Sequence, residues 1–253
     1  MSFGSHLLRL TGLLVICFLA LQLYFVGRIA LMAVADPQST TFERSEMSRL
    51  FSETGRVAWG QQWVGDDRLG KNLKRAVIAS EDAGFADHGG VDWDAMERAW
   101  ERNQRAQDQA DKRNERALKR NPDKPIAPVS AKLFGASTIT QQLAKNLFLS
   151  GERTPLRKGQ ELLLTYALET CLSKQRILEI YLNHVEWGEG LFGAQAAARY
   201  YFRIDAAQLG VGQAARLAVM LPAPKRFEKR LGSAYLADRA ATVSARMGAV
   251  DLP

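Results

Sequence analysis

The sequence predicts a mainly α-helical protein preceded by one membrane-spanning helix. An apolar stretch without charges runs from Thr11 to Gly27 and resumes after Arg28, which is long enough to cross a bilayer. From Lys71 onward apolar residues recur with helical spacing, whereas alternating strand patterns with hairpin turns are scarce. With 253 residues, the chain can also form one sizeable globular core.

The N-terminal segment has two interpretations. We predict a short tail over residues 1–10 and a transmembrane anchor over 11–35. The alternative is a cleaved signal peptide, because Ala33-Val34-Ala35 has the small-x-small form of a cleavage site. The anchor is favoured because the apolar core of a signal peptide is usually shorter, about 7–15 residues. Arg9 and Arg28 flank the stretch on its two sides, so the positive-inside rule does not settle its orientation.

The remaining chain divides by composition. Residues 36–70 mix Pro, Ser, Thr, Gly and charges, which predicts a linker, and residues 71–253 form the helical body. Charged residues crowd residues 98–128, which overlap a predicted charged insertion at about 102–134. A solvated helix and loop is the simplest reading of this stretch, and a basic lip over an anionic lipid or substrate is the alternative. The net charge of +7 favours an anionic partner without identifying it.

A carboxylate continues the apolar face of the first body helix. Leu73, Val77 and Glu81 follow one another at i+4 spacing, so Glu81 should be partly desolvated. Desolvation raises a carboxyl pKa towards the range in which it acts as a general base or acid. The alternative is a structural glutamate that caps the helix or pairs with a nearby cation.

Two further helix starts carry polar chemistry. Thr138 and Gln141 form a T-x-x-Q capping box, with Lys145 one turn beyond Gln141, and this arrangement suits a phosphate or sugar as well as an ordinary capped helix. Thr154 is a predicted N-cap and Pro155 the first helical residue.

On the helix that begins at Pro155, Arg157 and Lys158 stand four and three positions before Glu161, which places both cations on its face. Such a set could stabilise a departing pyrophosphate, although ion pairs at this spacing are also common on surface helices.

Taken in order, these segments resemble the signatures of glycosyltransferase family 51, found in monofunctional biosynthetic peptidoglycan transglycosylases. The matching positions are Glu81-Asp82-x-x-Phe85-x-x-His88-x-Gly90, Gly135-x-Ser137-Thr138-Ile139-x-Gln141-Gln142-Leu143-x-Lys145-Asn146, Arg157-Lys158-x-x-Glu161, Ile177-Leu178-Glu179-x-Tyr181-Leu182-Asn183, and Gly188-x-Gly190-x-x-Gly193. The likeness spans about residues 36–227 and weakens in the charged stretch, which is longer than the family pattern predicts. It implies a lysozyme-like glycosyltransferase lobe with a smaller membrane-proximal jaw.

The resemblance also implies roles for particular residues. Glu81 would be the general base that deprotonates the acceptor sugar hydroxyl, and Glu161 would lie with the cations around the donor pyrophosphate. Substrate contacts would come from Asp82, Phe85, His88, Ser137, Thr138, Gln141, Gln142, Lys145, Asn146, Arg153, Arg157, Lys158 and Asn183.

The implied reaction joins lipid-linked disaccharide-pentapeptide (lipid II) into a β-1,4 glycan and releases polyprenyl diphosphate. Implied partners are lipid II, the growing glycan strand, membrane lipid and proteins of cell-wall synthesis or division, with no nucleic acid. The implied location is the bacterial inner membrane, with one membrane pass and the catalytic domain on the periplasmic face. The sequence requires no cofactor and leaves open a divalent cation, Mg or Mn, at the pyrophosphate. The histidines at positions 6, 88 and 184 lack metal-ligand spacing.

Other functions stay open at this point. No Ser-x-x-Lys occurs in the chain, so the acylating machinery of a transpeptidase is not expected. A lytic muramidase with a lysozyme-like lobe is the nearest rival enzyme, but the cationic set beside Glu161 is not needed to hydrolyse a neutral glycosidic bond. A catalytically silent cell-wall scaffold is the alternative from another class, and the presence of both Glu81 and Glu161 argues against it.

Overall fold

The computed structural model describes residues 3–57, 59–120, 127–132, 135–152 and 154–253. The described chain is mainly helical and contains one small sheet, as predicted. Its helices are α1 Phe3–Leu31, α2 Thr41–Thr54, α3 Lys71–Glu81, α4 Trp93–Arg120, α5 Ile139–Phe148, α6 Pro155–Cys171, α7 Lys174–His184, α8 Ala194–Phe202, α9 Val211–Met220, α10 Pro224–Phe227 and α11 Ala234–Arg246. The strands β1 Glu186–Gly188 and β2 Leu191–Phe192 form an antiparallel hairpin.

The N-terminal helix is long and apolar enough to cross a membrane over His6–Leu31. It begins earlier than the predicted start at Thr11, because residues 3–10, which include Leu7, Leu8 and Leu10, continue the same helix. Its last turns pack on the body: Ile29 and Met32 are buried in the main core. Arg176 of α7 donates hydrogen bonds to the carbonyls of Met32 and Ala35, at 2.8 and 3.2 Å. This side chain therefore satisfies carbonyl groups at the C-terminal end of α1.

The predicted linker contains a helix, α2. Thr40 and Glu43 form a reciprocal capping box at its start, a T-x-x-E signature that can be read in the sequence. Thr41 Oγ1 donates to the carbonyl of Leu147 at 2.9 Å, and the buried Glu43 carboxylate lies 2.8 Å from His184 Nδ1. These contacts dock α2 against α5 and α7, so residues 41–54 belong to the folded body.

The charged stretch forms α4, most of whose residues are solvated. Asn114 exchanges two hydrogen bonds with the backbone of Val129, at 3.0 and 2.8 Å, so the chain beyond α4 returns along it. The loop predicted within this stretch includes residues 121–126 and 133–134, which lie outside the described residues.

Two groups of helices hold the functional elements. In one group α3 packs against α9 and α9 packs against α11, and in the other α5 packs against α6 and α7. Two glycines lie where a side chain would not fit. Gly90 has φ of 88°, and an added Cβ would lie 2.7 Å from Thr165 Cγ2. Gly193 has φ of 79°, and an added Cβ would lie 2.7 Å from the carbonyl oxygen of Asn183.

Candidate active site

Two adjoining cavities lie at the ends of α3, α5 and α6. The first, called the cationic cavity, has a volume of about 290 Å³. Its lining includes Phe42, Ser137, Gln141, Gln142, Lys145, Asn146, Glu152, Arg157, Lys158 and Glu161. The second, called the Glu81 cleft, has a volume of about 470 Å³ and is lined by residues that include Glu81, Asp82, Asp92, Arg98, Arg102, Ser137 and Thr138. Because Ser137 lines both, the two cavities meet at the start of α5.

The start of α6 fixes the charges of the cationic cavity. Thr154 is the N-cap and accepts a hydrogen bond from the backbone N–H of Arg157, with Pro155 as the first helical residue, as predicted. Arg157 Nη1 lies 2.8 Å from Glu161 Oε2, and Lys158 Nζ contacts Glu161 Oε1. Glu161 is 4% exposed. Both of its oxygens bind cations, so Glu161 orients Arg157 and Lys158.

The cavity holds an excess of positive charge that suits an anionic ligand. Lys145, Arg157 and Lys158 face two carboxylates, those of Glu152 and Glu161. Arg157 Nε is buried and has no hydrogen-bond partner among the described residues. Buried donors in proteins are almost always satisfied, so this unpaired donor is an exception at the wall of the cavity.

The N-terminus of α5 is built as the sequence predicts. Thr138 Oγ1 accepts from the backbone N–H of Gln141, and Gln141 Oε1 accepts from the N–H of Thr138. Thr138 Oγ1 also donates to the carbonyl of Gly90 at 2.6 Å. Both hydrogen bonds of the Thr138 hydroxyl are therefore made to the protein backbone. Ser137 and Asn146 are further polar side chains at the cavity wall.

Glu81 is the last residue of α3 and is half-buried, with Leu73 and Val77 fully buried on the same face. Burial raises the pKa of its carboxyl above the ordinary value, although hydrogen bonds from Gln142 and Ser80 oppose the rise. Gln142 Nε2 lies 3.1 Å from Glu81 Oε2. The carboxylate thus lies at the end of α3 beside a cavity, in the environment expected of a general base.

Asp82 joins α3 to α5. Its Oδ2 accepts from the backbone N–H of Ile139 at 3.0 Å, and its Oδ1 lies 2.8 Å from His88 Nε2. The N–H of Gly90 donates to His88 Nδ1 at 3.1 Å. Because Nδ1 is an acceptor, His88 carries its proton on Nε2 and donates it to Asp82. Asp82 and His88 therefore stabilise the loop that follows α3 and its contact with α5. Asp82 also lines the Glu81 cleft.

The structure places some predicted substrate contacts away from the cavities. Phe85 is 0% exposed and packs in the core under Lys174, whose Nζ lies 4.6 Å from the ring centroid. Asn183 is also fully buried and exchanges two 3.0 Å hydrogen bonds with the backbone of Val64. Neither side chain lines the cationic cavity or the Glu81 cleft, because each satisfies a packing or hydrogen-bonding requirement of the body. Arg153 lies outside the described residues.

The structure adds residues that sequence reasoning missed. Phe42, from the segment predicted as a linker, lines the cationic cavity. Arg98 and Arg102 of α4 line the Glu81 cleft, whereas the sequence indicated only a general basic lip and identified neither as a site residue. Tyr181 donates a hydrogen bond to Gln142 Oε1 at 2.9 Å. The capping box at Thr40 is a sequence signal for the helix that carries Phe42. The positions of Arg98, Arg102 and Tyr181 depend on long-range packing.

The described side chains form no preassembled metal site. The described residues contain no group of three or more His, Cys, Asp or Glu side chains placed to hold a metal ion. In the cationic cavity both oxygens of Glu161 already bind Arg157 and Lys158.

The sequence matches a family model described as Transglycosylase over residues 48–111 and 126–248. It is 50% identical over 236 residues to a protein of Burkholderia orbicola (strain MC0-3) named "Biosynthetic peptidoglycan transglycosylase", covering 93% of this chain and 87% of that protein. A protein of the same name from Paraburkholderia phytofirmans (strain DSM 17436 / LMG 22146 / PsJN) is 46% identical over 245 residues, covering 96% and 92%.

Proposed function

The chain belongs to the transglycosylase family and is a peptidoglycan transglycosylase, and from this premise we propose how its two cavities polymerise a lipid-linked disaccharide-pentapeptide. The observation that carries the proposal is the junction at Ser137 between the cationic cavity and the Glu81 cleft. The donor pyrophosphate would occupy the first cavity and the acceptor sugar the second. This arrangement brings a leaving group and a base to either side of one reacting carbon.

The donor side stabilises departing negative charge. The bond between the anomeric carbon and the pyrophosphate oxygen breaks, and its electron pair leaves on polyprenyl diphosphate. Lys145, Arg157 and Lys158 meet this charge in the cavity they line. Because Glu161 holds Arg157 and Lys158 in place before substrate arrives, little reorganisation is required at the moment of reaction.

The acceptor side supplies the nucleophile. The 4-hydroxyl oxygen of the acceptor sugar forms a bond with the anomeric carbon, and Glu81 takes the hydroxyl proton. A carboxyl whose pKa is raised by burial is a stronger base than an exposed one. Arg98 and Arg102 line the same cleft, where they could pair with the anionic groups of the acceptor.

The apolar helix α1 would anchor the enzyme in the bacterial inner membrane, with the body on the periplasmic face. Contacts along the end of α1 support a fixed placement: Phe25 packs edge-on against Phe148 of α5, with ring centroids 5.3 Å apart, and Arg176 binds the carbonyls that follow the helix. The cavities would therefore lie at a fixed height near the membrane surface, where a lipid-linked substrate is presented.

The test is incubation of the purified full-length protein with lipid-linked disaccharide-pentapeptide, followed by separation of polymer from small products. We expect uncrosslinked glycan strands, and product that is only hydrolysed disaccharide would identify a muramidase instead. A parallel incubation with labelled penicillin should leave the protein unlabelled, because no acylating serine motif is present. We also propose that Lys145, Arg157 and Lys158 neutralise the pyrophosphate without a metal ion, so polymer formation should persist when the assay is repeated in EDTA.

A further inference from the structure

We infer that Tyr181 is a positioning residue that aims Glu81 through the side-chain amide of Gln142. The inference rests on the proposed role of Glu81 as the general base. Three helices contribute one residue each: Glu81 ends α3, Gln142 lies in α5 and Tyr181 lies in α7. Their hydrogen bonds form a chain from the core to the junction of the two cavities.

The amide of Gln142 can present either an acceptor or a donor to Glu81, and the ionised carboxylate accepts only the donor. Tyr181 Oη donates to Gln142 Oε1 at 2.9 Å, and Gln142 Nε2 donates to Glu81 Oε2 at 3.1 Å. The opposite orientation would place the amide oxygen against the Glu81 carboxylate, which is an acceptor only. The ionised Glu81 carboxylate therefore selects the orientation, and the Tyr181 hydroxyl stabilises it by donating to the amide oxygen that then faces the core.

Tyr181 is suited to this task because it cannot readily move or lose its proton. It is fully buried in the core where α7, the helix that carries it, packs against α5. Burial, together with the charges of Glu81 and Asp82, raises the pKa of the Tyr181 hydroxyl well above its ordinary value. The hydroxyl therefore keeps its proton near neutral pH and can donate a hydrogen bond there.

Glu81 depends on this amide more than on its other donor. Ser80 Oγ lies 3.4 Å from Glu81 Oε1, at the long end of hydrogen-bond distances. Gln142 also lines the cationic cavity, so the amide that holds the base also faces the donor. Loss of the Tyr181 hydroxyl would leave the amide free to rotate and would weaken the bond that favours the ionised form of Glu81.

The decisive experiment compares the full-length wild type with Tyr181→Phe, which removes only the hydroxyl, and with Tyr200→Phe, a matched change at an exposed tyrosine. In Tyr181→Phe we expect kcat to fall about 5- to 10-fold, as when one buried hydrogen bond is lost. KM should change little, and the acid limb of the pH profile should move to higher pH. Tyr200→Phe should match the wild type.

Two further measurements separate positioning from a general loss of stability. Carbon-13 NMR can follow the Glu81 carboxyl without substrate, identified as the signal missing from Glu81→Gln, and its pKa should be higher in Tyr181→Phe than in the wild type. Gln142→Leu should raise the pKa in the same direction, and adding Tyr181→Phe to it should have no further effect, because the hydroxyl acts through the amide.

The inference would be overturned if the Glu81 pKa were unchanged in Tyr181→Phe. It would also be overturned if the pKa shifts caused by Tyr181→Phe and Gln142→Leu added together in the double variant. A wild type that titrates as expected but makes no polymer would instead overturn the proposed function, since the NMR measurement needs no turnover.

Discussion

Gln22 of α1 and Gln160 of α6 exchange two hydrogen bonds, at 3.1 and 3.0 Å, between the apolar N-terminal helix and the helix that carries Glu161. The residue after Gln160 is Glu161 itself, so this amide pair ties α1 to the first turns of α6. The pair is part-buried. Within a membrane protein such an interhelical hydrogen bond contributes about 0.6 kcal/mol on average.

The paired amides predict a specific pattern of stabilities. Gln22→Leu and Gln160→Leu should each lower the melting temperature in detergent, because each leaves one amide without its partner. The double substitution should be less destabilising than the sum of the two, since it leaves no unpaired amide. Gln104→Leu, at an exposed glutamine of α4, is the control. Additive effects of the two single changes would show that the amides do not interact.

Glu81→Gln should reduce polymerisation by at least 100-fold, because a general base contributes about 10²- to 10⁴-fold to the rate. The amide keeps the shape of the side chain and cannot accept the hydroxyl proton. The protein should stay folded and bind a donor-site ligand normally, with a melting temperature equal to or above that of the wild type, since a half-buried charge is removed. Glu97→Gln, at an exposed carboxylate of α4, is the control. Near-normal polymer formation by Glu81→Gln would contradict the mechanism.

The Lys and Arg side chains of the cationic cavity should increase the rate of turnover. Lys145→Ala and Arg157→Ala are expected to lower the rate about 10²- to 10³-fold, the usual effect of removing one group that stabilises transition-state charge. Arg157→Ala should also reduce stability, because it removes one of the two cations paired with the buried Glu161. Arg105→Ala, in an exposed ion pair with Glu101, should be nearly silent. A loss below about threefold at Lys145 would mean that the pyrophosphate binds elsewhere.

Glu186 of β1 should make stability depend on pH near neutrality. Burial raises the pKa of this carboxyl to about 7, although Lys225 opposes the rise. Because the folded-state pKa lies above the unfolded one, the folded protein should lose stability as the pH rises from about 4.5 to about 7, by on the order of 1–3 kcal/mol. Glu186→Gln should flatten this dependence.

The neighbouring Glu189 offers a matched control, because it lies in the same hairpin and is exposed. A hydrogen bond from Arg49 lowers the pKa of its carboxyl, so any contribution from Glu189 is lost only as the pH falls below the ordinary carboxyl range. Denaturant unfolding between pH 5 and 8 would compare Glu186→Gln with Glu189→Gln. Identical profiles for Glu186→Gln and the wild type would contradict the prediction.

The N-terminal segment should be retained in the mature protein. Cleavage after Ala35 would remove Ile29 and Met32 from the core and leave Arg176 without the carbonyls it binds. Mass spectrometry should therefore find residues 1–35, and carbonate-washed membranes should retain the protein. A mature N-terminus at Asp36 would instead identify a signal peptide.

The sequence by itself predicted those features that arise between residues close together in the chain. The capping of α5 by Thr138 and of α6 by Thr154, the ion pairs of Arg157 and Lys158 with Glu161, and the apolar N-terminal helix all depend on spacings of one to four residues or on local composition. The helix itself fixes the distance between residues three or four positions apart, so a pattern of residue types is sufficient to predict these contacts.

Only the tertiary structure decided which motif residues face a cavity and which support the body. Asn183 and Phe85 belong to the same motifs as Tyr181 and Glu81, and packing turns them into the core. The link from Tyr181 through Gln142 to Glu81 spans sequence separations of 39 and 61 residues. A hydrogen bond of this kind depends on how α3, α5 and α7 pack together, and no local spacing in the chain encodes that.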